Sequence, residues 1–97
     1  MKIIFVKKRL ADGSTCKKCI EVQQKMEAAN QMRFITDIAV ADEKNPESAG
    51  MELATQYNIN RAPFFIVEKE SGEIEVYTIY FKLVKEVFSK LSQTAAQ

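Results

Sequence analysis

Tyr57-Asn58-Ile59-Asn60-Arg61-Ala62-Pro63-Phe64-Phe65-Ile66-Val67 carries three signals in a row. Asn58 is placed to end a helix, because asparagine tolerates the left-handed conformation that closes many helices. Pro63 has no N–H to give a ladder, so it marks a kink, a turn or a sheet edge. Phe64 to Val67 is an unbroken apolar run, the pattern of a strand. A helix therefore passes through a short connection with Pro63 at its end directly into an apolar strand.

Reading backwards from this stretch, Leu53, Ala54 and Tyr57 form the buried face of the helix. Asn45-Pro46-Glu47 supplies an N-cap, a first helical residue and an acidic first turn. Reading forwards, Phe64–Val67 and Ile74–Tyr80 are two strands joined across Glu70-Ser71-Gly72-Glu73, a hairpin. Val84, Val87, Phe88 and Leu91 sit at i, i+3, i+4 and i+7, which predicts a last amphipathic helix. The polar stretch Ser92 to Gln97 is expected to fray.

The amino-terminal half completes the pattern. Residues 2–6 form a short apolar strand, and Lys7 to Thr15 a polar loop with the turn Asp12-Gly13-Ser14. Thr15 to Gln31 has no proline or glycine, and Cys19, Val22, Met26 and Ala29 make one helical stripe, capped by Ser14 or Thr15. Phe34 to Val40 is a further strand, with Phe34, Ile38 and Val40 on one face. The order is β-α-β-α-β-β-α. A first βαβ unit forces parallel strands, and the closing hairpin adds an antiparallel pair. The expected fold is α/β, a four-stranded mixed sheet with three helices, in one domain over residues 1–97.

The chain has 97 residues, of which 46% are hydrophobic and 28% charged, enough core to exclude disorder. A formal charge of +1 argues against a dedicated nucleic-acid binder. The apolar run Ile3-Ile4-Phe5-Val6 is shorter than a signal-peptide core or a membrane span, so no membrane association and a cytoplasmic location are expected. There is no histidine, which removes Cys–His pairs, Ser–His–Asp triads and histidine metal ligands together.

Cys16-Lys17-Lys18-Cys19 carries the chemistry. Disulfide exchange needs one exposed, ionised thiol and a second thiol near enough to displace the mixed disulfide. Cys16 falls at the positive end of the predicted helix, where N–H groups stabilise a thiolate. Cys19 belongs to the apolar stripe and is the less exposed thiol. Cys16 is therefore the attacking residue and Cys19 the resolving one. Half of a zinc site is the competing meaning of a lone CxxC. One chain without a second pair cannot complete such a site, although a dimer pooling two pairs can. A binding or adaptor module with inert cysteines is the other alternative.

The CxxC and Pro63 together, with the element order from the first strand to the last helix, resemble the thioredoxin superfamily. Asp37 to Pro63, with Asp42-Glu43-Lys44-Asn45-Pro46-Glu47 inside it, is similar to the corresponding part of thioredoxins. The resemblance implies a thioredoxin-like fold, a cis-proline at Pro63 packed beside the CxxC, and Ala62 as a backbone contact for substrate. It implies a thiol–disulfide oxidoreductase or dithiol electron carrier and no cofactor. Thioredoxins usually have tryptophan before the first cysteine and Gly-Pro between the two, where this chain has Thr15 and Lys17-Lys18. Glutaredoxins carry a Gly-Gly-type turn where this chain has Ile79-Tyr80-Phe81.

Topology gathers Lys7, Lys8, Arg9, Lys17, Lys18 and Arg61 around the CxxC, against the single acid Asp12. Lys17 and Lys18 join Ala62 and Pro63 as candidate substrate-binding residues. An acidic protein disulfide or an anionic small thiol is the expected partner.

Overall fold

The computed structural model describes residues 1–95. In β1 (Lys2–Arg9), Ile3 and Phe5 face one side of the sheet, while Ile4 and Val6 face the other. A strand with apolar residues on both sides must be covered on both sides, and it is. β1 pairs in parallel with β2 (Asp37–Asp42) and antiparallel with β3 (Phe64–Glu68), which pairs antiparallel with β4 (Ile74–Tyr77). The strand order is β2-β1-β3-β4, a four-stranded mixed sheet.

α1 (Lys17–Ala28) covers one face, together with α3 (Tyr80–Leu83), a π-helical segment (Val84–Phe88) and α4 (Ser89–Ala95). These last three run on without a break over residues 80–95 and form the third helix of the fold. On this face Phe5 stacks on Phe65 with ring centroids 5.0 Å apart, beneath Val22, Met26 and Phe88. α2 (Ala49–Gln56) covers the other face, where Met51, Leu53 and Ala54 meet Val6, Phe64 and Ile66. The architecture is the expected β-α-β-α-β-β-α.

Several boundaries differ from the sequence reading, each for a physical reason. The first strand runs to Arg9, because β2 pairs with it as far as Arg9↔Asp42. Thr15 bridges Arg9, and the Cys16 N–H donates to the Lys8 carbonyl at 2.9 Å, so α1 starts at Lys17 and Cys16 is its N-cap in place of Ser14 or Thr15. α1 ends at Ala28, and Asn30 then turns left-handed with φ 57°. Asn45-Pro46 forms a turn before α2, in which the Asn45 Oδ1 accepts the Glu47 N–H at 3.0 Å; Ser48 is the N-cap. Asn58 does close the helix end left-handed, at φ 55°.

The second strand begins at Asp37 rather than Phe34, and the face that carries Ile38 and Val40 is the outward one. Phe34 lies in a 3-10 turn (Met32–Phe34), and Ile38 and Val40 are exposed, whereas Ala39 and Ala41 are buried. α2 sits against β2 at Gly50, where a Cβ would collide with the backbone of Val40 and Ala41. Such close approach demands the small residues Ala39 and Ala41 beneath the helix. The fourth strand ends at Tyr77, not Tyr80, because Tyr80 opens the last helix. That helix buries Leu83, Val87 and Phe88, with Val84 and Leu91 at its margin. Residues 92–95, from the stretch expected to fray, continue this helix, and residues 96 and 97 lie outside the described residues. Among the described residues no helix is long and apolar enough to cross a membrane.

Candidate functional site

The two cysteines occupy different environments because the helix starts between them. Cys16 is partly exposed at the N-cap of α1, and its carbonyl accepts the Ile20 N–H at 3.1 Å. No side chain caps this helix, so its first N–H groups are open to a negative charge beside them. Cys19, one turn on, is 0% exposed and packs inward with Val22 and Met26. Its Sγ accepts the Lys8 N–H at 3.4 Å. Burial pushes the Cys19 thiol up to about 11, with the neighbouring Cys16 adding to the rise. One partly exposed sulfur thus stands beside one that keeps its proton at neutral pH.

Pro63 is at the same end of the sheet. Val6 opposes Phe64, so one further step of the antiparallel register sets Pro63 opposite Lys7, next to the residue whose N–H holds Cys19. Pro63 is buried, Ala62 is half-buried, and the peptide bond between them is cis. Both line a groove of about 490 Å³ between α1 and the corner where β4 turns into α3. Lys18, Val22 and Lys25 form its α1 wall at i, i+4 and i+7, and Arg61 closes the end near Pro63. Tyr80 and Phe81 form the far wall. The Tyr80 hydroxyl is held by the Gln31 Oε1, while Phe81 is 74% exposed.

The basic residues gathered by topology divide into two groups. Lys7 bonds Gln23, Lys8 pairs with Glu43 at 3.6 Å, and the Arg9 Nε donates to the Gly13 carbonyl. Lys18, Lys25 and Arg61 belong to no ion pair among the described residues and face the groove. Lys17 is exposed on the first turn of α1 and does not line it. Asp12 is not the single acid at this end. Glu43 is a second, holding Lys8 and accepting the Ala11 N–H at 3.0 Å, so it pins the loop that leads to Cys16. Asp12 itself turns back onto Ser14, whose hydroxyl and N–H hold its carboxyl below the usual range.

Sequence reasoning missed Glu43, Lys25 and Phe81. Lys25 had a usable signal, since it repeats the Lys18 face of α1 two turns later. Glu43 had none, because its link to Lys8 and Ala11 exists only once β1 and β2 lie side by side. The Lys8 N–H on Cys19 is a backbone contact and has no signature in side-chain pattern.

No protein-family model matches the chain, and no curated protein matches it. Among solved structures it is similar to the solution structure of a thioredoxin from Thermus thermophilus, at 20% sequence identity and a TM-score of 0.52. The likeness covers 97% of this chain and 74% of that one. With the sheet order, the helix placement and this likeness together, the chain has a thioredoxin-like fold, and the two nearby cysteines at the start of α1 are compatible with redox activity.

Proposed function

We propose that this protein is a thiol–disulfide oxidoreductase, or dithiol electron carrier, working in the cytoplasm on acidic substrates. The observation that carries this reading is the inequality of the two thiols: Cys16 partly exposed at the helix start, Cys19 fully buried one turn later. Cys16, as thiolate, attacks a substrate disulfide and forms a mixed disulfide, releasing one substrate thiol. Cys19 then loses its proton, attacks the Cys16 sulfur and releases the second thiol. The substrate gains two electrons and the protein dithiol becomes a disulfide. Ala62 offers its backbone to the bound substrate beside Pro63, and Lys18 and Arg61 attract its negative charge; Lys17 adds to the field from the helix start.

The test is to count thiols by alkylation and mass spectrometry before and after treatment with a small disulfide, assaying bound metal in the same sample. A reversible loss of two protons that involves both cysteines supports exchange. Cys19→Ser should trap a mixed disulfide on Cys16, while Cys16→Ser should trap little. Stoichiometric metal bound through the two thiols, or faster alkylation of Cys19 in the native reduced protein, would overturn the assignment.

A further inference from the structure

The groove beside Pro63 has a chemical selectivity that its general role does not require. Lys18, Lys25 and Arg61 line it, and among the described residues no lining side chain is a carboxylate. A thiol whose head group carries an ammonium, as glutathione does, would bring that cation against three others with no lining carboxylate among the described residues to pair with it. A ligand bearing only negative charge meets no such penalty. Lys18 and Lys25 are also seven residues apart on one helix face, about 10 Å along the axis, so they suit anions spread over that length rather than a single carboxylate.

The opposite wall supplies the second feature. Phe81 is 74% exposed and Ile79 is 55% exposed, both on the rim of the same groove. An aromatic ring left this open beside a row of cations is a platform for a flat ring that carries charge nearby. The hydroxyl of its neighbour Tyr80 is already bound to Gln31, which fixes this corner against the end of α1.

We propose that this groove takes the disulfide of a phosphate-bearing nucleotide thiol of the coenzyme A type, with Lys18, Lys25 and Arg61 on the phosphates and Phe81 against the base. The proposal rests on the exchange chemistry above. Cys16 attacks one sulfur of the coenzyme A disulfide, the substrate S–S bond breaks, and one coenzyme A leaves as thiolate and takes a proton from water. Cys19 loses its proton to water, bonds to the Cys16 sulfur and releases the second coenzyme A. Two electrons move from the protein dithiol to the substrate disulfide, and a single turnover needs no other reductant.

The experiment is a stopped-flow single turnover of the reduced protein with five disulfides: coenzyme A disulfide, pantethine, glutathione disulfide, a disulfide-linked acidic peptide and neutral dithiodipyridine. Pantethine shares the thiol arm and lacks the phosphates and the base. The coenzyme A to pantethine rate ratio should be about tenfold in dilute buffer, as expected from a few exposed charge contacts. It should collapse towards one in molar salt and in Lys18→Gln/Arg61→Gln. Phe81→Ala should lower the same ratio several-fold. Reading a ratio on each protein cancels any general change in thiol reactivity. Pantethine or glutathione disulfide reacting as fast as coenzyme A disulfide would overturn the proposal. So would a disulfide-linked acidic peptide reacting faster than all of them, which would assign the groove to a polypeptide. Failure to reduce even dithiodipyridine would bring down the exchange chemistry itself, whereas normal reduction of it without a coenzyme A preference would remove this proposal alone.

Discussion

Charge is arranged in opposite ways at the two ends of the sheet. At the β3–β4 hairpin, Lys69 binds both Glu73 and Glu75, and the Tyr77 hydroxyl lies within hydrogen-bond distance of Glu75 at 2.8 Å and Glu86 at 3.2 Å. At the CxxC end, Lys18, Lys25 and Arg61 face an open groove with no carboxylate on its wall among the described residues. Paired charges consume their own field and act within the fold. Cations left facing a cavity keep theirs, and it is felt by what enters. Perturbing the hairpin end should therefore change stability and spare exchange. Perturbing the other end should do the reverse.

The largest expected effect lies within the CxxC itself. Burial pushes the Cys19 thiol up and leaves its sulfur 0% exposed, so at pH 7 it is both protonated and out of reach. Native-state alkylation at pH 7 should therefore modify Cys16 at least a hundredfold faster than Cys19, measured by mass spectrometry with peptide mapping. The sign of the linked stability follows from the raised value. The buried neutral thiol contributes stability that is complete below its ordinary value of 9.0 and is lost as the pH rises through about 11. Cys19→Ser should remove that alkaline loss.

Next in size is the groove. Neutralising Lys18, Lys25 and Arg61 together should leave the unfolding free energy within about 0.5 kcal/mol of the parent, as expected for exposed side chains in no ion pair among the described residues. The same change should flatten the salt dependence of exchange with anionic disulfides. A stability loss well beyond that figure would mean that these cations serve the fold after all.

The hairpin end should answer differently. Tyr77→Phe removes the hydroxyl shared by Glu75 and Glu86 and should cost about 1 kcal/mol in urea denaturation, with the exchange rate unchanged. The smallest effect is that of Lys69. Its hydrogen bond holds the Glu75 carboxyl below the usual range, so Glu75 contributes stability above its ordinary value of 4.5 that is lost as the pH falls through its folded value. Lys69→Met should flatten the acid limb of the stability profile slightly, since both groups are exposed to water. An exchange rate that moved with either hairpin variant would break the division between the two ends.

Most elements were legible because their signals are local. Pro63 followed by Phe64–Val67, the stripe Cys19–Val22–Met26 and Asn58 at a helix end each place a segment by short-range chemistry. The second strand was not legible in the same way. Hydropathy favours burying Ile38 and Val40, yet the alanines face the core because Gly50 lets α2 approach the backbone there. Contact between segments distant along the chain overrode residue type.

The amino-acid sequence by itself determined the element order and the placing of the two cysteines one turn apart at a helix start. Periodicity, turn chemistry and the spacing of two thiols are all properties of neighbours along the chain. Tertiary structure alone decided that the Lys8 N–H holds Cys19, that Glu43 offsets Lys8, and that Lys18, Lys25, Arg61 and Phe81 share one groove. Those relations join residues from β1, α1, the turn after β2, the segment before β3 and the corner after β4. They arise only when the sheet closes and brings separate connections to one end.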